Sequence, residues 1–163
     1  MSHGLEPRLA DRYGGWALIT GASSGIGRAI ADQVAAQGMQ CLILSNELGP
    51  LQQTREELAA AHEVEVEYLC LDLAEPDVAQ QVRSHLGDRE LGLLVSNASF
   101  GRTGRFGSDA METYRRMLAV NVDAYVSMVH EFLPGMVSRG RGGIVIVSSL
   151  NSLVPGIGGS AVY

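Results

Sequence analysis

Thr20-Gly21-Ala22-Ser23-Ser24-Gly25-Ile26-Gly27 decides how the rest of this chain is read. Ahead of it the apolar run Trp16-Ala17-Leu18-Ile19 predicts a buried strand over Trp16–Thr20. Behind it, Arg28–Ala31 and Val34–Ala36 carry apolar residues at helical spacing, which predicts a helix over Ser24–Gln37 closed by Gly38. A glycine-rich turn from strand to helix lets the backbone approach a phosphate, with free N–H groups and the positive helix end facing the anion. Gly21 suits the tight turn, Gly25 the close approach, and Gly27 the packing of helix on strand. Ser23, Ser24 and Ile26 lie in the same loop and join them as candidate binding residues. The spacing G-x-x-x-G-x-G differs from the common G-x-G-x-x-G fingerprint. An ordinary loop is the alternative, and the strand before and helix after argue against it.

Composition sets the outer bounds. With 163 residues, 46% apolar and 18% charged, the chain reads as one soluble domain able to bury a substantial core. Its net charge of −6 is spread along the chain without a basic run, which argues against nucleic acid as a partner. No apolar stretch approaches the roughly 20 residues of a membrane span, and Met1–Arg12 lacks the apolar core of a signal peptide, so a cytoplasmic location is expected. Cys41 and Cys70 both fall in predicted buried strands and are expected as reduced thiols, although sequence leaves a disulfide open. His3, His62, His85 and His130 show no metal-ligand spacing, and no metal is expected.

Working outward, strands and helices alternate. Ser2–Tyr13 reads as a flexible leader or a short helix on the rim. Further strands are predicted over Gln40–Ser45, Val64–Leu71, Leu91–Ser96 and Gly143–Ser148, and helices over Leu51–Ala61 and Asp77–His85. A long helix is predicted over Asp109–Ser138, with Pro134 as the site for a kink or split. Such alternation of near-continuous apolar strands with helices predicts an α/β fold, a Rossmann-like doubly wound parallel sheet of strand order 3-2-1-4-5. Ligands bind such sheets where the order reverses, outside the carboxyl ends of strands 1 and 4. The residues after four strands then share one edge: the glycine loop, Ser45-Asn46, Asn97-Ala98-Ser99 and Ser148-Ser149.

These motifs resemble the short-chain dehydrogenase/reductase family along the whole chain. Thr20–Gly27 resembles its T-G-x-x-x-G-x-G loop, and Asp72-Leu73 its adenine-side acidic-hydrophobic pair. Ser96-Asn97-Ala98-Ser99 stands where the family has N-N-A-G, with two substitutions. Asn121 resembles its helix Asn, and Ser149 with Tyr163 its active-site Ser and Tyr, 14 positions apart and so one more than in the family. The opening Tyr13-Gly14-Gly15-Trp16-Ala17 is similar to the membrane-associated 3-ketoacyl and 17β-hydroxysteroid branch. The family continues Y-x-x-x-K and adds further helices and strands. One domain over 1–163, truncated before the C-terminal strands, inactive alone and open along its fifth strand, is therefore expected.

The resemblance implies hydride transfer between a nicotinamide cofactor and a small-molecule carbonyl or alcohol, with Ser149, Tyr163 and Asn121 catalytic. Ser149 would hold the carbonyl oxygen, Tyr163 exchange its proton, and Asn121 fix a water leading to the Lys. A homo-oligomer is implied for the full-length protein. Cofactor choice falls to the end of strand 2, where a carboxylate favours NAD and an Arg accommodates NADP. Ser45 and Asn46 stand at those positions, carry neither charge and can donate to a phosphate, so NADP is expected ahead of NAD, although Glu47 follows closely. Bland alternatives stay open: Ser148 and Ser149 ending a strand, Asn121 satisfying a buried backbone group, Tyr163 as a surface tyrosine, and Asp72 forming a turn. At the level of function, a non-catalytic dinucleotide-binding domain is the alternative.

Overall fold

Five apolar runs become five parallel strands: β1 (Trp16–Thr20), β2 (Gln40–Ser45), β3 (Val66–Cys70), β4 (Leu91–Ser96) and β5 (Gly143–Ile146), in the order β3-β2-β1-β4-β5. The computed structural model describes residues 7–150. Between the strands run α2 (Gly25–Ala36), α3 (Leu48–Ala61), α4 (Val78–Leu86), α5 (Met111–Leu118) and α6 (Ala124–Arg139), preceded by a short α1 (Leu9–Tyr13). Every residue of β1 and β4 is buried, as expected of central strands covered on both faces. Alternate side chains sort into two cores. Leu18, Leu42, Leu44 and Leu94 meet Val82 of α4 and Met128 and Phe132 of α6 on one face. On the other, Ala17, Ile19, Ile43 and Val95 meet Ala31 and Val34 of α2 and Leu51 and Leu58 of α3.

Several boundaries differ from the sequence reading. Of the two readings offered for the start of the chain, Leu9–Tyr13 is the short helix, and its Leu9, Ala10 and Tyr13 pack partly buried against the second core. α3 starts at Leu48 rather than Leu51, because Pro50 falls in its first turn, where a missing N–H costs nothing. The predicted long helix is interrupted at a π-helical turn, Ala119–Asp123, and not at Pro134. Pro134 lies on the exposed side of α6, where the carbonyl it leaves unbonded can turn to water. Val120 and Val122 in the π turn are β-branched and disfavour regular α-helix. β3 is an edge strand open on one side, so Cys70 at its end is exposed, contrary to expectation. Both cysteines are free thiols, and burial pushes the Cys41 thiol up to about 12.

β5 forms the opposite edge and ends at Ile146, with one further bond from the Val147 amide to the Ser96 carbonyl. Val145 and Ile146 are about half exposed, and Val126 and Val137 along α6 are more exposed still. At the start of the two central strands, β1 pairs with β4 through a bulge in which Ala17 faces Leu93 and Gly92 is passed over. A Cβ on Gly92 would run into the carbonyl oxygens of Tyr13 and Gly14. We expect Gly92→Ala to destabilise the protein by about 1–3 kcal/mol through overpacking. Gly49→Ala in α3, where a Cβ meets open space, should raise stability by up to about 1 kcal/mol. Urea unfolding of the two variants checks both signs.

Candidate functional site

The strand order reverses between β1 and β4, and there the two strands are stapled rather than merely paired. The buried Thr20 hydroxyl accepts the amides of Asn97 at 2.9 Å and Ala98 at 3.0 Å and donates to the Val95 carbonyl at 3.5 Å. The Asn97 side-chain amide returns to the Thr20 carbonyl at 2.9 Å and the Gly21 carbonyl at 3.4 Å. Gly27 packs beneath this junction: a Cβ on it would strike both the Gly21 backbone and the Asn97 amide nitrogen. Gly21 has φ of 69° and abuts Ala98, so it serves the tight turn.

Above the staple opens a cleft of about 570 Å³. Gly21, Ser23, Ser24, Gly25 and Ile26 line its floor, Ser45 and Asn46 one wall, Asp72 and Leu73 the far end, and Asn97 and Ala98 the other wall. Of the cofactor-binding residues expected from sequence, Gly27 alone is absent from the lining, being packed under it. α2 begins at Gly25 with no side-chain cap from Ser24, so its first amide groups are left for an anion. A Cβ on Gly25 would meet nothing within 4 Å, and that open space faces the helix end. The Gly21 and Ala22 amides are already engaged by the Leu44 carbonyl at 2.7 and 3.2 Å. A bound pyrophosphate is therefore left to the helix end rather than to the first amides of the turn. The residues present fit a dinucleotide.

Two features of the cleft lay beyond the sequence reading, a ring of hydrogen bonds around Glu47 and the partner of Asp72. The Ser45 hydroxyl donates to Ser23 at 2.9 Å, and Ser23 donates to the Glu47 carboxylate at 3.2 Å. The Glu47 amide in turn donates to Ser45 at 3.2 Å, which closes a ring. At the far end Arg116 of α5 reaches Asp72 at 2.6 Å and lies 5.9 Å from the Phe100 ring centre. Burial raises the Asp72 carboxyl, but the Ala74 amide and the Arg116 guanidinium outweigh it and hold the group below its ordinary value. A cation 44 positions along the chain carries no local signal that it will meet Asp72.

The catalytic candidates divide. Asn121 lies in the π turn, and its side chain accepts the Phe100 amide at 3.1 Å and donates to the Phe100 carbonyl at 2.9 Å. That geometry makes it a clamp on the loop after β4, joined by the Tyr125 hydroxyl on the Ala98 carbonyl at 2.8 Å. π turns recur at functional sites, where they re-aim one residue out of the helical ladder. Ser149 follows β5 at the same sheet edge, partly buried, and is not in the cleft lining. Tyr163 lies outside the described residues. The buried Ser96, at the first position of the strand-4 motif, has a hydroxyl with no partner among the described residues. Also among the described residues, no group of three or more His, Cys, Asp or Glu could hold a metal, and no helix is long and apolar enough to cross a membrane.

Fold and cleft together define a Rossmann-like α/β protein. Residues 15–163 match the family model of the short chain dehydrogenases, and the chain belongs to that family. It is 36% identical over 149 residues to the inactive hydroxysteroid dehydrogenase-like protein 1 of Rattus norvegicus, covering 90% of this chain and 45% of the relative. It is 30% identical over 156 residues to the very-long-chain 3-oxoacyl-CoA reductase of Homo sapiens, covering 93% and 50%. Among solved structures, a 7β-hydroxysteroid dehydrogenase superposes with a TM-score of 0.86 at 25% identity, covering 90% of this chain and 56% of that one. An L-sorbose reductase from Gluconobacter frateurii, complexed with NADPH and L-sorbose, does so at 0.80 and 30%, covering 89% and 56%. The chain thus spans about half the length of the curated relatives it matches.

Two measurements probe the cleft. Gly25→Val should abolish dinucleotide binding in a fluorescence titration, since its side chain would fill the space left for the pyrophosphate. Asp72→Asn should lower stability at neutral pH. Because the folded carboxyl is held low, its contribution is present above the ordinary aspartate value near about 4 and is lost as pH falls through the lower folded value. Urea unfolding of wild type and variant should therefore differ at neutral pH and converge in strong acid.

Proposed function

We propose that this chain is the cofactor-binding part of an oxidoreductase that interconverts a small-molecule carbonyl and an alcohol with a nicotinamide dinucleotide. The observation that carries the reading is the uncapped start of α2 with open space over Gly25, set in a cleft at the strand-order reversal. Membership of the family and its NADP-bound members support the same class of cofactor. The first amides of α2, with Ser24, Gly25 and Ile26, would hold the pyrophosphate. Asp72 and Leu73 would border the adenine, while Asn97 and Ala98 wall the opposite side. Held there, the dinucleotide supplies the hydride exchanged with the carbonyl carbon. The Ser149 hydroxyl would donate a hydrogen bond to the carbonyl oxygen, and the Tyr163 phenol would deliver its proton. Asn121 acts through Phe100 and so is a positioning residue. A ketone on an apolar skeleton is the substrate class that the named steroid and acyl relatives favour, in a cytoplasmic homo-oligomer.

A second reading has an observation of its own. Relatives at 36% identity are named inactive, which favours a protein that binds the dinucleotide without turning it over. Ultraviolet-monitored NADH and NADPH oxidation by the full-length protein over a panel of keto-steroids and 3-oxoacyl thioesters separates the two. We expect turnover that falls at least about a hundredfold in Tyr163→Phe, the scale of a lost general acid. Tight nucleotide binding with no turnover on any ketone returns the second reading.

A further inference from the structure

Arg116 is the arginine that lines the cleft among the described residues. A guanidinium is planar, with an edge of N–H donors and two faces, and the fold occupies these differently. The edge is given to Asp72, whose Oδ2 accepts from Nη2 at 2.6 Å. One face stands over the Phe100 ring, 5.9 Å from its centre. Phe100 is itself clamped at its backbone by Asn121, so that support is fixed in place. The opposite face is what remains: 45% of the Arg116 side chain is exposed, and the residue borders the cleft.

Asp72 is bonded at both of its oxygens, Oδ1 by the Ala74 amide at 3.0 Å and Oδ2 by the guanidinium. A charge-assisted bond of this kind outweighs one from a neutral amino group, so the carboxylate serves first to set the guanidinium plane. Leu71, Leu73 and Val120 line the same cleft and offer apolar surface to the other side of a flat ring. Guanidinium groups stack on aromatic faces, and such stacking tolerates changes in the groups a base carries at its edge. We propose that the open face of Arg116, braced by Asp72 and Phe100, stacks on the purine of the bound dinucleotide and holds the base by its face rather than by its 6-amino group. This rests on the dinucleotide reading above, and it gives the cleft a tolerance for 6-oxopurines.

The test is binding, not turnover. The full-length protein is titrated by fluorescence and calorimetry with NADH, with its hypoxanthine analogue, which carries a 6-oxo group in place of the amino group, and with reduced nicotinamide mononucleotide, which has no purine. Wild type should bind the first two within about threefold of each other. An amino group read by Asp72 would instead separate them by about tenfold or more, the scale of a hydrogen bond to a charged group. Arg116→Gln should weaken both dinucleotides by about five- to tenfold and leave the mononucleotide unchanged. Arg116→Lys keeps a cation beside Asp72 without a planar face, so it preserves the ion pair and should weaken the same two ligands. A wild-type preference for NADH of tenfold or more, undiminished NADH binding in both variants, or a loss shared equally by the mononucleotide overturns the stack and leaves the dinucleotide site standing. Failure of wild type to bind any of the three overturns the dinucleotide reading and the stack with it.

Discussion

Everything at the binding edge depends on how β1 and β4 are joined where the strand order reverses. A parallel sheet that winds both ways must open a crevice at that point, because its connections leave toward opposite faces. Nothing in strand pairing alone keeps the two strand ends together beyond their last ladder bonds. Here one buried hydroxyl, that of Thr20, gathers two amides of the β4 loop, and the Asn97 side chain returns the bond to the β1 carbonyls. Buried polar groups are costly unless satisfied, so this pairing sets the relative position of the glycine turn and the opposite wall together. Gly27 matters for the same reason, since α2 reaches the junction only because no side chain stands in the way.

The loop after β4 is held a second time, from below. Asn121 takes both backbone groups of Phe100, and Tyr125, whose phenol burial keeps in its protonated form, donates to Ala98. Both residues come from the segment where α5 passes into α6, and the π turn is what brings the Asn121 side chain round to the loop. A regular helix over the same residues would rotate it by a fraction of a turn and leave Phe100 without partners. The irregularity is thus part of the site. It stiffens the wall against which a dinucleotide would lie.

The two carboxylates that line the cleft are held differently. Asp72 is paired with the Arg116 guanidinium, while the Glu47 carboxylate accepts from the Ser23 hydroxyl. An anionic ligand in the cleft therefore meets the uncapped start of α2, one carboxylate paired with a cation and one bonded to a hydroxyl. That asymmetry distinguishes this cleft from a generic phosphate site.

The amino-acid sequence alone determined the sheet and its order. Strand and helix periodicity are local properties, and handedness rules convert their alternation into the order β3-β2-β1-β4-β5. The floor of the site was equally legible, because a glycine turn between a strand and a helix is written in eight adjacent residues. Boundaries failed where a local rule met a tertiary context: α3 begins at Leu48 with Pro50 harmless in its first turn, and Pro134 is tolerated on an exposed face. Cys70 looked buried because its strand is apolar, and only the sheet order shows that strand to be an edge. The partners that give the site its character were decided by the fold. Arg116 on Asp72, Asn121 on Phe100 and Glu47 on Ser23 join residues from 21 to 44 positions apart. Hydrogen bonds across such separations depend on where the backbone places each side chain, and no local pattern of residues encodes that.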